Sequence, residues 1–194
     1  IEESDIAEVS KIIIIGNKVY KSSKIKSIMK TKEKTLLRFL SSADRYDPDK
    51  LEYDKQLVTE FYNNNGFPEF KFITSTAQLS LNKNDFEIIL SLNEGNQYDF
   101  GEIEVTSELK KMNEETLKKI LPFRSGDLYD ASKIKQSVEQ IKNSAELTGY
   151  SFIEINPRLE INKDENTVNV NLIINEGPRV YVNKINITGN TRTV

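Results

Sequence analysis

Apolar and polar residues follow one pattern twice along this chain. A run rich in isoleucine, from Val9 to Ile15, favours a strand, because β-branched side chains fit a pleated, buried surface. Two stretches with apolar residues at helical spacing follow. Two extended runs come next, and the last run of the second copy has apolar residues at every second position, Val168, Val170, Leu172 and Ile174, which fits a half-buried strand. The pattern therefore predicts units with the order β-α-α-β-β.

Capping residues mark the ends of the longer helices. Asp47 followed by Pro48 is a typical helix start, because proline at the first helical position gives up no hydrogen bond. Gly66 is a typical stop. For the two short helices, the expected N-caps are Ser22 or Ser23 in the first unit and Asn113 in the second. For the long helix of the second unit, Asp130 is the expected N-cap and Gly149 the expected stop.

Landmarks recur in the same order at nearly constant intervals. The segment from Val9 to Asn17 matches Val182 to Asn190, 173 residues further on, and Ile103 to Val105 is a third start between them. Such self-similarity is typical of tandem repeats. Further pairs, 82 or 83 residues apart, are Tyr46-Asp47 with Tyr129-Asp130, and Asn93-Glu94-Gly95 with Asn175-Glu176-Gly177.

Three strands and two helices on one face predict an α+β fold of tandem two-layer modules. Each module is expected to hold a three-stranded mixed sheet packed against two helices. The predicted divisions are 1–8, the tail of a preceding module, 9–98 and 99–180, two complete modules, and 181–194, the first strand of a following module. So few residues separate the modules that we expect a semi-rigid joint. The terminal Glu94-Gly95 and Glu176-Gly177 are interpreted as strand ends that use the conformational freedom of glycine.

Composition narrows the function. The net charge of −3 gives no reason to expect nucleic acid as a partner. Cysteine and histidine are both absent, which removes the thiol nucleophile, the commonest general base and the commonest transition-metal ligands. No apolar run approaches the roughly 20 residues that span a bilayer, and the first residues lack the features of a signal peptide. We therefore expect no enzyme, catalytic residue, cofactor, metal ion or small-molecule substrate.

The two copies differ between their helices. Sixteen residues separate Met29 from Tyr46, but only seven separate Leu121 from Tyr129, so the first copy has an insertion at 30–45. The extra residues either extend the core as an added helical turn or form an exposed apolar patch that docks a partner. The candidate partner patch consists of Leu36, Leu37, Phe39 and Leu40.

A three-stranded sheet has two edges whose free N–H and C=O groups can pair with another strand. The run from Glu69 to Leu81 is the candidate for such an edge. An extended peptide could add there by β-augmentation, or the edge could be protected and bind nothing. The candidate client-strand edge consists of Phe70, Phe72, Thr74 and Thr76, expected on one face of the strand.

The ordered landmarks resemble those of POTRA domains. They are the Ile-x-Ile-x-Gly-Asn start at Ile12 to Asn17, Tyr-Asp before the second helix, Gly-Phe or Gly-Tyr after it, and the terminal Glu-Gly. The resemblance is nearest to the POTRA array of outer-membrane protein assembly factors. Arg45 to Leu51 resembles the third domain, Gly126 to Tyr129 with Ile173 to Pro178 the fourth, Gly189 to Arg192 the fifth, and Ile1 to Ser4 the end of the second, with serine in place of glycine.

This resemblance implies a non-enzymatic binding array at the periplasmic face of the bacterial outer membrane. The implied partners are unfolded outer-membrane proteins, lipoproteins of the assembly machinery and a C-terminal membrane barrel of the same protein. One alternative is the POTRA region of another polypeptide transporter, such as a translocation and assembly module, a two-partner secretion pore or an organellar import channel. Another alternative is a structural spacer without clients.

Overall fold

The computed structural model describes residues 8–34, 45–80, 85–150 and 152–177. They form two successive β-α-α-β-β units. The first contains β1 (Glu8–Ile15), α1 (Ser22–Ile28), α2 (Pro48–Asn63), β2 (Lys71–Leu79) and β3 (Asp85–Asn93). The second contains β4 (Asp99–Ser107), α3 (Glu114–Lys119), α4 (Ala131–Leu147), β5 (Ile153–Asn162) and β6 (Thr167–Glu176). The predicted element order and α+β class are confirmed.

Both sheets have the same topology. In the first, β3 lies at the centre, parallel to β1 and antiparallel to β2. In the second, β6 lies between parallel β4 and antiparallel β5. The central strands bury every second side chain, and these residues are Ile88, Leu90 and Leu92 in β3 and Val168, Val170, Leu172 and Ile174 in β6.

Each unit has its own hydrophobic core between sheet and helices. In the first core α2 contributes Leu51, Val58 and Tyr62. In the second, α4 contributes Ile134 and Ile141. Each such side chain stabilises the fold by about 1.5–3 kcal/mol through removal from water. Among the described residues, no helix combines the length and the apolarity that crossing a membrane requires.

The helix starts agree with the predicted caps except at α1. The confirmed caps, whose side chains accept backbone N–H bonds of the first turn, are Asp47, Asn113 and Asp130. The prediction of Ser22 or Ser23 was wrong, because α1 already begins at Ser22 and Lys21 holds the cap position. The Ser22 hydroxyl instead accepts a bond from the Asn17 side chain at 3.3 Å.

The two Glu-Gly pairs end their strands differently. Gly95 has a φ of +73°, a conformation that other residues resist, which confirms the expectation there. Gly177 has no positive φ, so the same expectation was wrong for it. A Cβ atom at Gly177 would lie 3.4 Å from the backbone of Phe152, an ordinary contact distance, so the space around this position does not require glycine either.

Candidate functional site

The second strand of the first unit lies at a sheet edge. β2 pairs with β3 on one side, and none of the described residues pairs with its other side. Within the candidate run from Glu69 to Leu81, the strand covers Lys71–Leu79 and does lie at the edge of the sheet. We refer to the unpaired side of this strand as the β2 edge.

The four residues predicted for this edge do not share one face. The register with β3 shifts between Phe72 and Thr74, which leaves Ile73 as an extra residue in β2. Phe70 and Phe72 pack against the core, whereas Thr74 and Thr76 are exposed. The prediction of a single face was wrong because such a bulge inverts the alternation of side chains.

Backbone direction decides what an edge offers to another strand. In an antiparallel pair, residues bonded to the partner alternate with residues whose N–H and C=O groups point away. Ser80, just after β2, donates its N–H to the Asp85 carbonyl of β3 at 2.7 Å. Every second residue before Ser80 is therefore bonded to β3 as well, and the residues between them point away from it. The residues bonded toward β3 are Thr74, Thr76 and Gln78, and those that point outward are Ser75, Ala77 and Leu79.

The β2 edge carries no charged side chain between Phe72 and Leu79. Apolar side chains are exposed near both of its ends, at Ile73 and Leu79. Natural proteins commonly protect free edges with charges, prolines or covering loops. From Phe72 to Leu79 the β2 edge lacks charge and proline, and none of the described residues covers it.

The opposite edge of the same sheet is covered by the start of the segment between the helices. Lys34 donates its N–H to the Val9 carbonyl at 2.8 Å, and Ile12 donates to the Glu33 carboxylate at 2.8 Å. Lys26 binds the same carboxylate at 2.6 Å. Burial would raise the pKa of Glu33, but the bonds from Lys26 and the Ile12 N–H hold it below its ordinary value. The Glu33 carboxylate thus already accepts the Ile12 N–H, which a strand added to the β1 edge would need as a donor.

The first strand of the second sheet is bonded at both ends. Phe100 donates to the Asp127 carbonyl and accepts from the Gly126 N–H, both at 2.7 Å. At the other end, Ser107 donates its N–H to the Glu114 carboxylate at 3.3 Å. The loop before α4 and the start of α3 therefore limit access to the β4 edge.

A buried carboxylate anchors the loop between β1 and α1. Glu94 is 5% exposed and accepts the N–H groups of Lys18 at 2.7 Å and Val19 at 3.0 Å. The Tyr62 hydroxyl donates to it at 2.8 Å. Burial would raise the pKa of Glu94, but these donors together hold it below its ordinary value. Glu94 therefore has a structural role that the sequence pattern did not show.

Contacts cross directly from the first unit to the second. The Tyr98 hydroxyl donates to the Glu69 carboxylate at 2.6 Å, and Lys163 forms an ion pair with the same group. The Tyr98 N–H donates to the Gly66 carbonyl at 2.8 Å. The bond to Glu69 raises the pKa of Tyr98 to about 12, and Lys163 lowers the pKa of Glu69. Two hydrogen bonds and an ion pair therefore join the two units directly, and the semi-rigid joint expected from the short connection stays a prediction.

Other candidate sites are few. The candidate partner patch, Leu36, Leu37, Phe39 and Leu40, lies outside the described residues. Within the described ranges, no three acidic, histidine or cysteine side chains are grouped to hold a metal ion. The β2 edge is therefore the leading candidate site.

The comparisons with known proteins agree with this architecture. The family described as POTRA, surface antigen variable number repeat, matches residues 7–95 and 98–177. The chain therefore belongs to the POTRA family, and it carries two such domains in tandem.

The curated relatives are outer membrane protein assembly factors. BamA of Neisseria meningitidis serogroup B is 28% identical over 193 residues, which cover 100% of this chain and 24% of that protein. BamA of Neorickettsia risticii is 28% identical over 179 residues, 92% of this chain and 24% of that protein. The chain thus spans about a quarter of the length of these relatives. The resemblance to POTRA domains of outer-membrane protein assembly factors is confirmed.

Solved structures show the same fold. The POTRA3-5 fragment of Haemophilus influenzae BamA has a TM-score of 0.74 at 22% identity, over 97% of this chain and 73% of that fragment. BamA of Haemophilus ducreyi lacking POTRA domains 1-3 has a TM-score of 0.60 at 14% identity, over 88% of this chain and 29% of that chain.

Proposed function

We propose that this chain is the periplasmic POTRA segment, third-like and fourth-like, of an outer-membrane β-barrel assembly factor. In this proposal the chain binds segments of unfolded outer-membrane proteins, which add to the β2 edge as an extra strand. The observation that carries the proposal is the row of outward N–H and C=O groups at Ser75, Ala77 and Leu79. The names of the relatives support a role in outer-membrane protein assembly. The free β2 edge supports strand addition as the way in which clients bind.

The chemistry of the edge fits such clients. Strands of outer-membrane barrels are about 9–11 residues long and alternate between apolar and polar side chains. β2 is 9 residues long, so one client strand would match its length. Pairing through backbone groups accepts many sequences, which suits a factor with many clients.

Lipoprotein docking is a separate part of the proposal. It rests on the family resemblance and on the candidate partner patch in the insertion at 30–45. Exchange of Leu37 and Phe39 for serine is expected to weaken capture of assembly lipoproteins while client binding at the β2 edge is retained. Unchanged lipoprotein capture would contradict this assignment.

Site-specific crosslinking tests the client site. A photoreactive residue at Thr74, exposed on β2, should crosslink a urea-denatured outer-membrane protein as it is diluted into buffer. The same residue at Tyr53, which is exposed on α2, is the matched control and should crosslink little. Equal crosslinking at both positions would indicate non-specific contact. No crosslinking at either would favour a structural spacer.

A further inference from the structure

The two modules place different residues at one equivalent edge position. Ser75 of β2 lies opposite Leu90, and Pro157 of β5 lies opposite Leu172. Leu90 and Leu172 are 82 residues apart, the interval that separates the two Asn-Glu-Gly landmarks. Ser75 and Pro157 therefore occupy the same place in their modules.

The backbone at this place points away from the sheet in both modules. Gly177 donates its N–H to the Phe152 carbonyl at 3.0 Å, and this pair fixes the alternation along β5. Pro157 is five residues beyond Phe152, so it falls among the positions that do not bond to β6. Proline has no N–H, and at an outward position its presence costs the sheet no hydrogen bond. What is lost is the donor that an added strand would use.

Because Pro157 lies in the middle of β5, the missing N–H donor interrupts the row of outward donors along this strand. The outward positions of this strand are Ile153, Ile155, Pro157, Leu159 and Ile161. The proline is the middle one, so neither half of the strand offers more than two consecutive outward donors. The β2 edge offers three in succession, at Ser75, Ala77 and Leu79.

Charges add to the difference between the edges. β5 carries exposed charged side chains at Glu154, Arg158 and Glu160. The corresponding stretch of β2, from Phe72 to Leu79, has none. Charged side chains and proline are the usual means by which a free edge is protected from pairing.

We propose that Pro157 closes the β5 edge, so that an extended client adds only to the β2 edge, which the serine at position 75 leaves open. The inference rests on the proposed function and specifies it further. The first and fourth strands are already restricted by Glu33 and by the Phe100 and Ser107 bonds. Each copy of this two-module segment accordingly accepts one client strand, and the residue at this position makes the main difference between the two edges, with the charges on β5 adding to it.

Single substitutions at Ser75 and at Pro157, each giving one position the residue of the other, test this assignment. The probe is a synthetic peptide of about ten residues that alternates apolar and polar side chains, the length of a barrel strand. It is titrated into the isotope-labelled 194-residue chain while backbone amide signals are recorded. The unchanged chain should bind one peptide, with shifts at Ser75, Ala77 and Leu79 and none along β5.

The variants are expected to move the site. Ser75→Pro should weaken binding at β2 by about tenfold or more, because the outward donor is gone. Ser75→Ala keeps that donor and should bind as the unchanged chain does. Pro157→Ser should create a second site, with shifts along β5 and two peptides bound per chain. This gain does not depend on whether Ser75→Pro folds, and unchanged α4 signals verify the fold of the Pro157→Ser chain.

The failures of the two proposals are distinguishable. Peptide binding on β5 in the unchanged chain, or a single site in Pro157→Ser, would overturn the role of Pro157 and leave the β2 edge in place. Absence of peptide binding in both the unchanged chain and Pro157→Ser would overturn edge binding itself and, with it, this inference.

Discussion

The Tyr98 hydroxyl, in the second unit, donates a hydrogen bond to the Glu69 carboxylate in the first at 2.6 Å. Tyr98 is 1% exposed, so the bond joins the core of one module to the loop of the other. Lys163 supports the same carboxylate from the β5–β6 turn. Because Tyr98 and Lys163 of the second unit both bind the Glu69 carboxylate of the first, we expect this contact to restrict motion between the modules.

Loss of this contact should loosen the joint. In Tyr98→Phe the ring still fills the core, but the bond to Glu69 is gone. The chain has no cysteine, so single cysteines placed at exposed Tyr53 and Leu147 can carry spin labels. The distribution of distances between the labels is expected to broaden in Tyr98→Phe.

A surface ion pair at the same joint is the matched control. Lys135 and Glu60 are 3.2 Å apart, but their side chains are 76% and 58% exposed. Pairs of this kind contribute about 0–1 kcal/mol, so Lys135→Ala should leave the distance distribution nearly unchanged. A Tyr98→Phe distribution as narrow as that of the unchanged chain would show that the bond does not restrict this motion.

The anchoring role of Glu94 predicts a pH dependence. Its pKa in the folded chain lies below the ordinary value of 4.5, so its contribution to stability is complete above pH 4.5. That contribution is lost as the pH falls through the folded pKa. Glu94→Gln should lower the free energy of unfolding at pH 7 by about 2 kcal/mol and flatten the loss below pH 4.5.

Urea unfolding between pH 7 and pH 3 measures both effects. Glu146→Gln, at an exposed position of α4, is the control and should follow the unchanged chain. An equal slope below pH 4.5 in Glu94→Gln and the unchanged chain would mean that another group causes the acid sensitivity.

Asp54 is expected to hold the cover of the β1 edge in place. This fully buried residue of α2 accepts the N–H groups of Lys30 and Thr31, which lead into the segment that carries Glu33. Asp54→Ala leaves these donors without their acceptor and should cost about 3 kcal/mol. Hydrogen exchange of the Ile12 amide, which Glu33 covers, should accelerate.

A variant in the exposed first turn of the same helix, Asp49→Asn, serves as the comparison. It should change neither the Ile12 exchange rate nor the stability by more than about 0.5 kcal/mol. If Ile12 exchanges equally slowly in Asp54→Ala, the segment is held by other contacts.

Periodicity and capping predicted the fold well because both are local. The apolar residues at every second position from Val168 to Ile174 predicted a strand, and Asp47-Pro48 predicted the start of α2. The site was predicted less completely. The run that forms β2 was the candidate edge strand, but the extra residue at Ile73 has no signature in the residue types around it, and it reversed the predicted face.

The carboxylates that organise the first unit could not be found from local pattern. Glu94 binds Val19 across 75 residues, Asp54 binds Thr31 across 23, and Glu33 binds Ile12 across 21. Such contacts exist only after the chain folds. Pro157 did carry a usable signal, because proline within an extended run marks an edge strand.

Hydrogen exchange along β2 tests most directly whether the edge receives a client strand. Amide exchange is measured residue by residue, with and without a denatured outer-membrane protein segment in excess. The outward amides of Ser75, Ala77 and Leu79 should become protected, while those of Thr74 and Thr76, already bonded to β3, should change little. Unchanged exchange at the three outward amides, under conditions where the segment binds the chain, would contradict strand addition at β2.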